Sequence, residues 1–252
     1  MVKVAVVLPV YNGERGKGPY ILQQSIQSIL DQTLEDFRLI IVNDGSTDRT
    51  RNIIDPYAAA DKRVEIVNLP VNMGVTHAEN EGIRRAGTYG VKYLCFQGSD
   101  DISLPTRLEL QAQFLDIFPD IAMVGCCYRA MTWRGDTVGN YLALPSRHER
   151  IYNNLIHGKS DIRFPMIRWS VGDAVNWLDG KNFPYRAQDL DFALRVAEKY
   201  KVSILQEILY AYRQPSDDYQ ECLSYDMPVH IECIEKAMKL SAQRRQSKCQ
   251  KV

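Results

Sequence analysis

The sequence predicts an α/β fold, a mostly parallel Rossmann-like central sheet flanked by helices, and three observations predict it. Over roughly the first hundred residues an apolar strand, a polar loop and a helical pattern alternate repeatedly, the order that a parallel sheet with crossover helices requires. The strands are predominantly apolar runs, as expected where both faces of a sheet are covered. The fourth strand delivers two adjacent acids, Asp100 and Asp101, into a loop, and open α/β sheets bind ligands at the carboxyl ends of their strands.

In order, Val2–Leu8 is a β-branched run that leads into a polar loop containing Pro9, Tyr11, Asn12 and the glycines 13, 16 and 18. Tyr20–Gln32 has helical apolar spacing. Phe37–Val42 is a second strand, ending at Asn43-Asp44-Gly45, and Thr47 or Asp48 can cap a helix running towards Ala60. Val64–Leu69 is a third strand, followed by Asn72 and Gly74 and a helix over Val75–Ala86. The fourth strand, Val91–Phe96, breaks at Gly98-Ser99-Asp100-Asp101, and a helix from Pro105 to Phe118 turns Leu108, Leu115 and Ile117 inward. Ile121–Cys127 is a fifth strand.

Beyond Tyr128 the pattern loosens. Met131–Arg147 is turn-rich, Glu149–Ile156 a short helix, and Ile162–Trp169 extended, with a helix after it to Leu178. Gln188–Tyr200 is amphipathic, Val202–Leu205 and Ile208–Tyr212 read as two short strands, and Asp226–Gln243 is a last helix before a basic tail. Residues 1–127 thus form a ligand-binding half, 128–225 complete the same domain, and 226–252 add a helix and tail.

With 31 Lys plus Arg against 31 Asp plus Glu, the formal net charge is zero, which argues against a nucleic-acid partner bound through its phosphates. Apolar residues make up 45% and charged residues 25%, ordinary for a globular domain with a large core. No apolar run approaches the roughly 20 residues that cross a bilayer. The first run leads straight into Pro-Val-Tyr-Asn and reads as a core strand rather than a leader. The six cysteines (95, 126, 127, 222, 233 and 249) lack metal-ligand spacing and fit reduced thiols in a cytoplasmic protein.

Read alone, Gly98–Asp101 is better explained as a turn than as a ligand site, because Asp and Ser favour turns. Yet each polar cluster follows a strand, so Tyr11, Asp44, Asn72 and Asp100-Asp101 share one edge of the sheet. Turn formation does not predict that convergence, and a ligand site does.

Six blocks occur in order: VVLPVYNGE, LIIVNDGSTDRT, NMGVTHAENEGIRRA, GSDDISLPTRLELQ, QDLDFALRVA and LYAYR. Together they resemble the GT-A fold glycosyltransferases of family 2, which are inverting and use nucleotide sugars. The resemblance runs from Val4 to about Arg213. It implies that Tyr11 lies against the base, that Asp44 accepts from a ring N–H, and that Pro9, Asn12 and Asn72 shape the nucleotide pocket. A carboxylate opposite a ring N–H suits uracil or thymine, so a UDP- or TDP-sugar donor is expected, with a glycan or other hydroxyl compound as acceptor.

The family's acidic motif of DxD type implies a Mn²⁺ or Mg²⁺ ion on the diphosphate, held by Asp101 with Asp100 beside it or on the ribose. Gly98 stands where the first acid of that motif is usual. Asp189 inherits the general-base role from the family's ED-type motif, with Gln188 in place of the glutamate. Absent the resemblance, Asp189 is an acid that favours a helix N-terminus. Asp191 matches a further acid, structural or acceptor-facing, and Arg195 can pair with it at i,i+4. The family often has an arginine before Asn80, where this chain has Glu79. Trp169, Trp177 and Tyr185 fall in the segment expected to meet the acceptor, by stacking or simply by packing.

Two other readings compete. Gly98 and Gln188 each remove an expected acid, which fits a nucleotide-sugar-binding protein without transfer activity. Gly13, Gly16 and Gly18 suggest a phosphate loop of a nucleotidyltransferase, although the matching basic pattern stops at Arg15 and Lys17. No processive-synthase arginine-tryptophan motif is visible. The expected partners therefore exclude nucleic acid and an integral membrane segment, while peripheral attachment to a cytoplasmic membrane face and a homodimer stay open.

Overall fold

The first apolar run becomes the central strand of the sheet. In the computed structural model, which describes residues 2–14, 19–159, 162–214 and 227–249, β1 (Val4–Val10) lies between β2 (Phe37–Asn43) and β4 (Tyr93–Phe96), parallel to both. Outside β2, β3 (Val64–Asn68) is also parallel. Val4, Val6 and Leu8 enter one apolar cluster with Leu39 and Ile41, whereas Ala5 and Val7 enter another with Ile40 and Val42. Strand side chains alternate between faces, so two buried faces demand runs with no polar residue. Leu8, Leu39, Ile40 and Ile41 are fully buried, each contributing about 1.5–3 kcal/mol of transfer free energy.

Pro9 is tolerated in this central strand because β4 has ended beside it. Val7 accepts from Gln97 N on the β4 side at 2.9 Å, and the last β1–β4 pair is Val7 with Phe96. Two residues on, Pro9 faces the same side with no strand left to receive an N–H.

Helices α1 (Pro19–Leu30), α2 (Thr50–Ala60) and α4 (Arg107–Ile117) supply the cluster on the Val4 face. The opposite face is covered by α3 (Val75–Gly87), α5 (His148–Leu155), α6 (Trp169–Ala174), α7 (Gln188–Ala197) and α8 (Met227–Cys249). At Gly82 a Cβ would lie 2.3 Å from Val7 Cγ1, so only glycine lets α3 approach β1 this closely.

Past β4 the sheet turns mixed. Strand β8 (Met166–Arg168) is antiparallel to both β4 and β6 (Ile121–Met131). Strand β9 (Lys201–Arg213) runs parallel to β6, while the two-residue β5 (Ile102–Ser103) pairs antiparallel with the end of β9. The order is β3-β2-β1-β4-β8-β6-β9-β5, with β7 (Thr137–Tyr141) flanking β6.

Four expectations change. The two short strands after residue 200 are one strand, because the polar pair Gln206-Glu207 is a bulge opposite Cys126-Cys127 rather than a turn. The turn-rich stretch after Met131 contains β7, whose exposed positions give it no apolar alternation. Ile117 is 68% exposed, since it lies about 200° round the helix from the buried Leu115. Arg49 occupies the N-cap of α2 without a side-chain bond, and Asp48 Oδ1 accepts from Thr50 N at 2.9 Å instead.

Cys95, Cys126, Cys127 and Cys233 are free thiols. Cys222 lies outside the described residues. Among the described residues no helix is long and apolar enough to cross a membrane.

Candidate functional site

The carboxyl ends of β1, β2 and β4 open into a cavity of about 870 Å³, closed on its far side by the start of α7. Pro9, Tyr11, Asn12, Asp44, Asn72, Asp100, Asp101 and Asp189 all line it. The convergence read from the sequence is therefore met in space.

On the β1–β2 side the loops brace one another. Asn12 takes a positive φ of 48°, its N–H donates to Ser46 Oγ at 2.9 Å, and its Oδ1 accepts from Thr47 N at 2.8 Å. Asp44 is buried, and its two oxygens accept from Met73 N (2.8 Å) and Gly74 N (2.9 Å). Asn72 Oδ1 adds a bond to Gly74 N at 3.1 Å. Asp44 thus fixes the loop that follows β3, and its remaining lone pairs are what a ligand could use. Tyr11, by contrast, is 48% exposed, a free aromatic face at the rim. The glycine-rich stretch 15–18 lies outside the described residues.

The loop after β4 is held from below by a buried polar network. Gln97 donates to Ser25 Oγ, Gly98 O and Asp101 O, and accepts from Ser103 Oγ at 2.7 Å and Arg107 Nη1 at 3.2 Å. The fully buried Arg107 also donates to the carbonyls of Phe96 and Phe164 and lies 4.8 Å from the Tyr210 ring centre. Asp101 Oδ2 accepts from the Tyr210 hydroxyl at 3.0 Å, and its Oδ1 accepts from Arg213 N at 2.8 Å. Burial, and then the charge of Asp100, raise the proton affinity of Asp101, against the pull of those two donors.

Gly98 explains its own place in this loop. A Cβ there would stand 2.4 Å from Asp101 Oδ2. The carboxylate of Asp101 therefore fills the space that a side chain at position 98 would need. Gly98 N donates to Tyr210 Oη at 3.1 Å, so the tyrosine joins the two residues. Arg213 completes the clamp, donating to Asp100 O at 2.7 Å and to Gln24 Oε1 at 3.2 Å. Sequence reading missed Tyr210, Gln97 and Arg107 as site residues. Tyr210 and Arg213 stood in the block LYAYR, but an aromatic in an apolar strand reads as core.

At the far wall Ala187 adopts a left-handed φ of 59° and starts α7, which sets Gln188 and the exposed Asp189 on its first turn. Asp189 Oδ1 accepts from Leu190 N at 2.8 Å. Glu79 of α3 also lines the cavity, with Gln188 Nε2 3.3 Å from its Oε2. Burial first, and the charge of Asp189 second, push the Glu79 carboxyl up to about 8.

Asp191, Trp169 and Trp177 are not among the cavity's lining residues. Asp191 is buried, paired with Arg195 at 2.7 Å as the i,i+4 spacing predicts, and reached by Arg244 of α8 at 3.5 Å. The two tryptophans pack together at 4.9 Å, and Trp177 stacks on Phe192 at 6.1 Å. Their apolar faces are consumed by the core, whereas Tyr185 does line the cavity and is 63% exposed.

The metal expectation can be tested on the donor set. Asp100 and Asp101 offer hard oxygen ligands, and no group of three His, Cys, Asp or Glu able to hold an ion occurs among the described residues. The pair fits a Mg²⁺ or Mn²⁺ ion completed by a ligand's phosphates rather than caged by protein.

The model of the family described as Glycosyl transferase family 2 matches residues 5–169. The chain belongs to glycosyl transferase family 2. Among similar proteins, the putative glycosyltransferase EpsE of Bacillus subtilis is 30% identical over 224 residues, covering 86% of this chain and 75% of EpsE. An uncharacterized glycosyltransferase of Haemophilus influenzae is 26% identical, over 83% of this chain and 65% of its own. The S. aureus TarS 1-349 structure in complex with UDP-GlcNAc superposes with a TM-score of 0.72 at 17% identity, over 95% of this chain and 66% of TarS 1-349. The likeness establishes the GT-A fold. This family 2 chain thus spans about two thirds of the length of such relatives.

Proposed function

We propose that this chain is an inverting glycosyltransferase that moves a sugar from a UDP-sugar, or a TDP-sugar, to a hydroxyl acceptor such as a glycan. One observation carries the reading: Asp44, Asp100-Asp101 and Asp189, from three separate parts of the chain, line a single cavity. Tyr11 offers its exposed ring to the base, and Asp44 accepts from the ring N–H of uracil or thymine. Pro9, Asn12 and Asn72 shape that pocket.

Asp101, with Asp100, would hold a Mn²⁺ or Mg²⁺ ion, which when bound offsets the charge of the diphosphate leaving group. Asp189 takes the proton of the acceptor hydroxyl as its oxygen bonds to the anomeric carbon. The bond from that carbon to the diphosphate oxygen breaks on the opposite face, and the electron pair leaves with the nucleotide. A single displacement of this kind inverts the anomeric centre. Exposure at the start of α7 suits the role, because the base must reach a mobile acceptor.

Asp189→Asn is expected to lower transfer by roughly 10²–10⁴-fold while nucleotide binding persists. Normal turnover by that variant would remove the assigned base. A second reading, nucleotide-sugar binding without transfer, is favoured by the two protein donors that already occupy Asp101. Calorimetry with UDP, with and without Mn²⁺, separates the two, because metal-independent binding fits only the second.

A further inference from the structure

Tyr185 lines the cavity and is 63% exposed, so it offers a large aromatic surface there. Its place is set by Gly74. A Cβ built at Gly74 would stand 2.4 Å from Tyr185 Cε1 and 2.6 Å from Cδ1, so the edge of the ring fills the space that any other residue would need. Gly74 also has a φ of 93°, a conformation that glycine adopts without penalty. The same glycine donates its N–H to Asp44 Oδ2 at 2.9 Å. One residue thus separates the Tyr185 ring from the carboxylate that the proposed site offers to a base.

The segment carrying Tyr185 is anchored to the start of α3. Thr76 Oγ1 donates to Phe183 O at 2.6 Å, Thr76 N donates to Pro184 O at 3.3 Å, and Phe183 is fully buried. The backbone beneath the ring is therefore fixed before a ligand arrives, which lowers the ordering cost of binding. Strand order then puts the two exposed rings on different flanks of Asp44. Asp44 follows β2, which lies between β1 and β3, whereas Tyr11 follows β1 and Gly74 comes after β3.

We propose that Tyr185 is a second aromatic contact for the nucleotide base, covering it from the Gly74 side while Tyr11 covers it from the β1 side. This role, which rests on the UDP-sugar reading above, places Tyr185 with the donor rather than with the acceptor. Acceptor contact is the competing role, since Tyr185 lies in the segment that runs into Asp189. Contact with Gly74 favours the base, because that glycine is bonded to Asp44. Stacking on an aromatic face tolerates any base, so Tyr185 adds affinity while Asp44 retains the choice among bases.

The test is calorimetry with UDP and Mn²⁺ on the whole chain and on Tyr185→Phe, Tyr185→Leu and Tyr185→Ala. Wild type and Tyr185→Phe are expected to bind UDP alike, because both present a flat aromatic face. Tyr185→Leu, which keeps apolar bulk against Gly74, and Tyr185→Ala should each bind roughly tenfold or more weakly. Thermal melts without ligand should nearly coincide, since the ring is mostly exposed. Wild-type UDP affinity in Tyr185→Leu overturns the stacking role, whether or not Tyr185→Ala is weakened, because bulk alone would then suffice. A loss in Tyr185→Phe as large as that in Tyr185→Ala overturns it too. Failure of the wild type to bind UDP overturns the underlying donor reading, and this inference with it.

Discussion

A side chain at position 98 and the present orientation of Asp101 compete for one volume, separated by only 2.4 Å at the built Cβ. Because the obstacle is the tip of a flexible carboxylate, Gly98→Asp should fold, with Asp101 turned away from Tyr210 and Arg213. The lost bonds are expected to cost about 1–3 kcal/mol, read as a Tm lower by a few degrees, since about 1 kcal/mol shifts a chain of this size by 2–4 °C. UDP binding should meanwhile become more dependent on Mn²⁺, because a carboxylate is freed. Glu79 makes a second prediction at this scale. Its folded-state proton affinity is raised from 4.5 to about 8. The stability it contributes is fully present below pH 4.5 and is lost as pH rises through about 8. Glu79→Gln should therefore gain in Tm relative to wild type between pH 5 and pH 9, by thermal melts at both. Asp44 and Asp101 were legible as candidates because each is an acid that follows an apolar strand, whereas Asp189, in the first turn of a helix, was reached only through the family resemblance. Glu79 was not, since one acid in a polar helix face reads as solvated until its neighbour from α7 is known.

Among elements, α7 depends on α8 more than its amphipathic pattern suggests. Arg244 bonds Glu198 at 2.8 Å and reaches Asp191 at 3.5 Å, and those two carboxylates are only 3% and 2% exposed. Arg244→Ala leaves Glu198 with Ser241 and Asp191 with Arg195. The loss is expected to be about 1–3 kcal/mol, below that of a fully buried pair because Arg244 itself is partly open to solvent. A lower urea midpoint with unchanged slope would register it. The first four strands and three helices were legible to within a few residues, because repeated strand–helix units carry strong periodic signals. Elements β5 and β7 and the continuity of β9 were not. A two-residue strand has no period, an exposed edge strand has no alternation, and a polar bulge resembles a turn.

Across the whole molecule the site is assembled from both ends of the chain. The proposed nucleotide side comes from residues before 102, the proposed base from α7, and the clamp on Asp101 from the last residues of β9. Fold class followed from the opening strand–helix repeat, but the antiparallel insertion of β8 between β4 and β6 joins segments whose sequence separation leaves no local mark. The bond from Arg213 N to Asp101 spans 112 residues. A chain emerging at about 5–20 residues per second therefore leaves the acidic loop unclamped for roughly 5–20 seconds after it is made. During that interval the loop has neither Tyr210 nor the Arg213 amide to orient it, so the nascent first half should hold its two acids in no fixed arrangement. Ordering of the acidic loop would coincide with completion of the sheet and serve as a late checkpoint in biosynthesis.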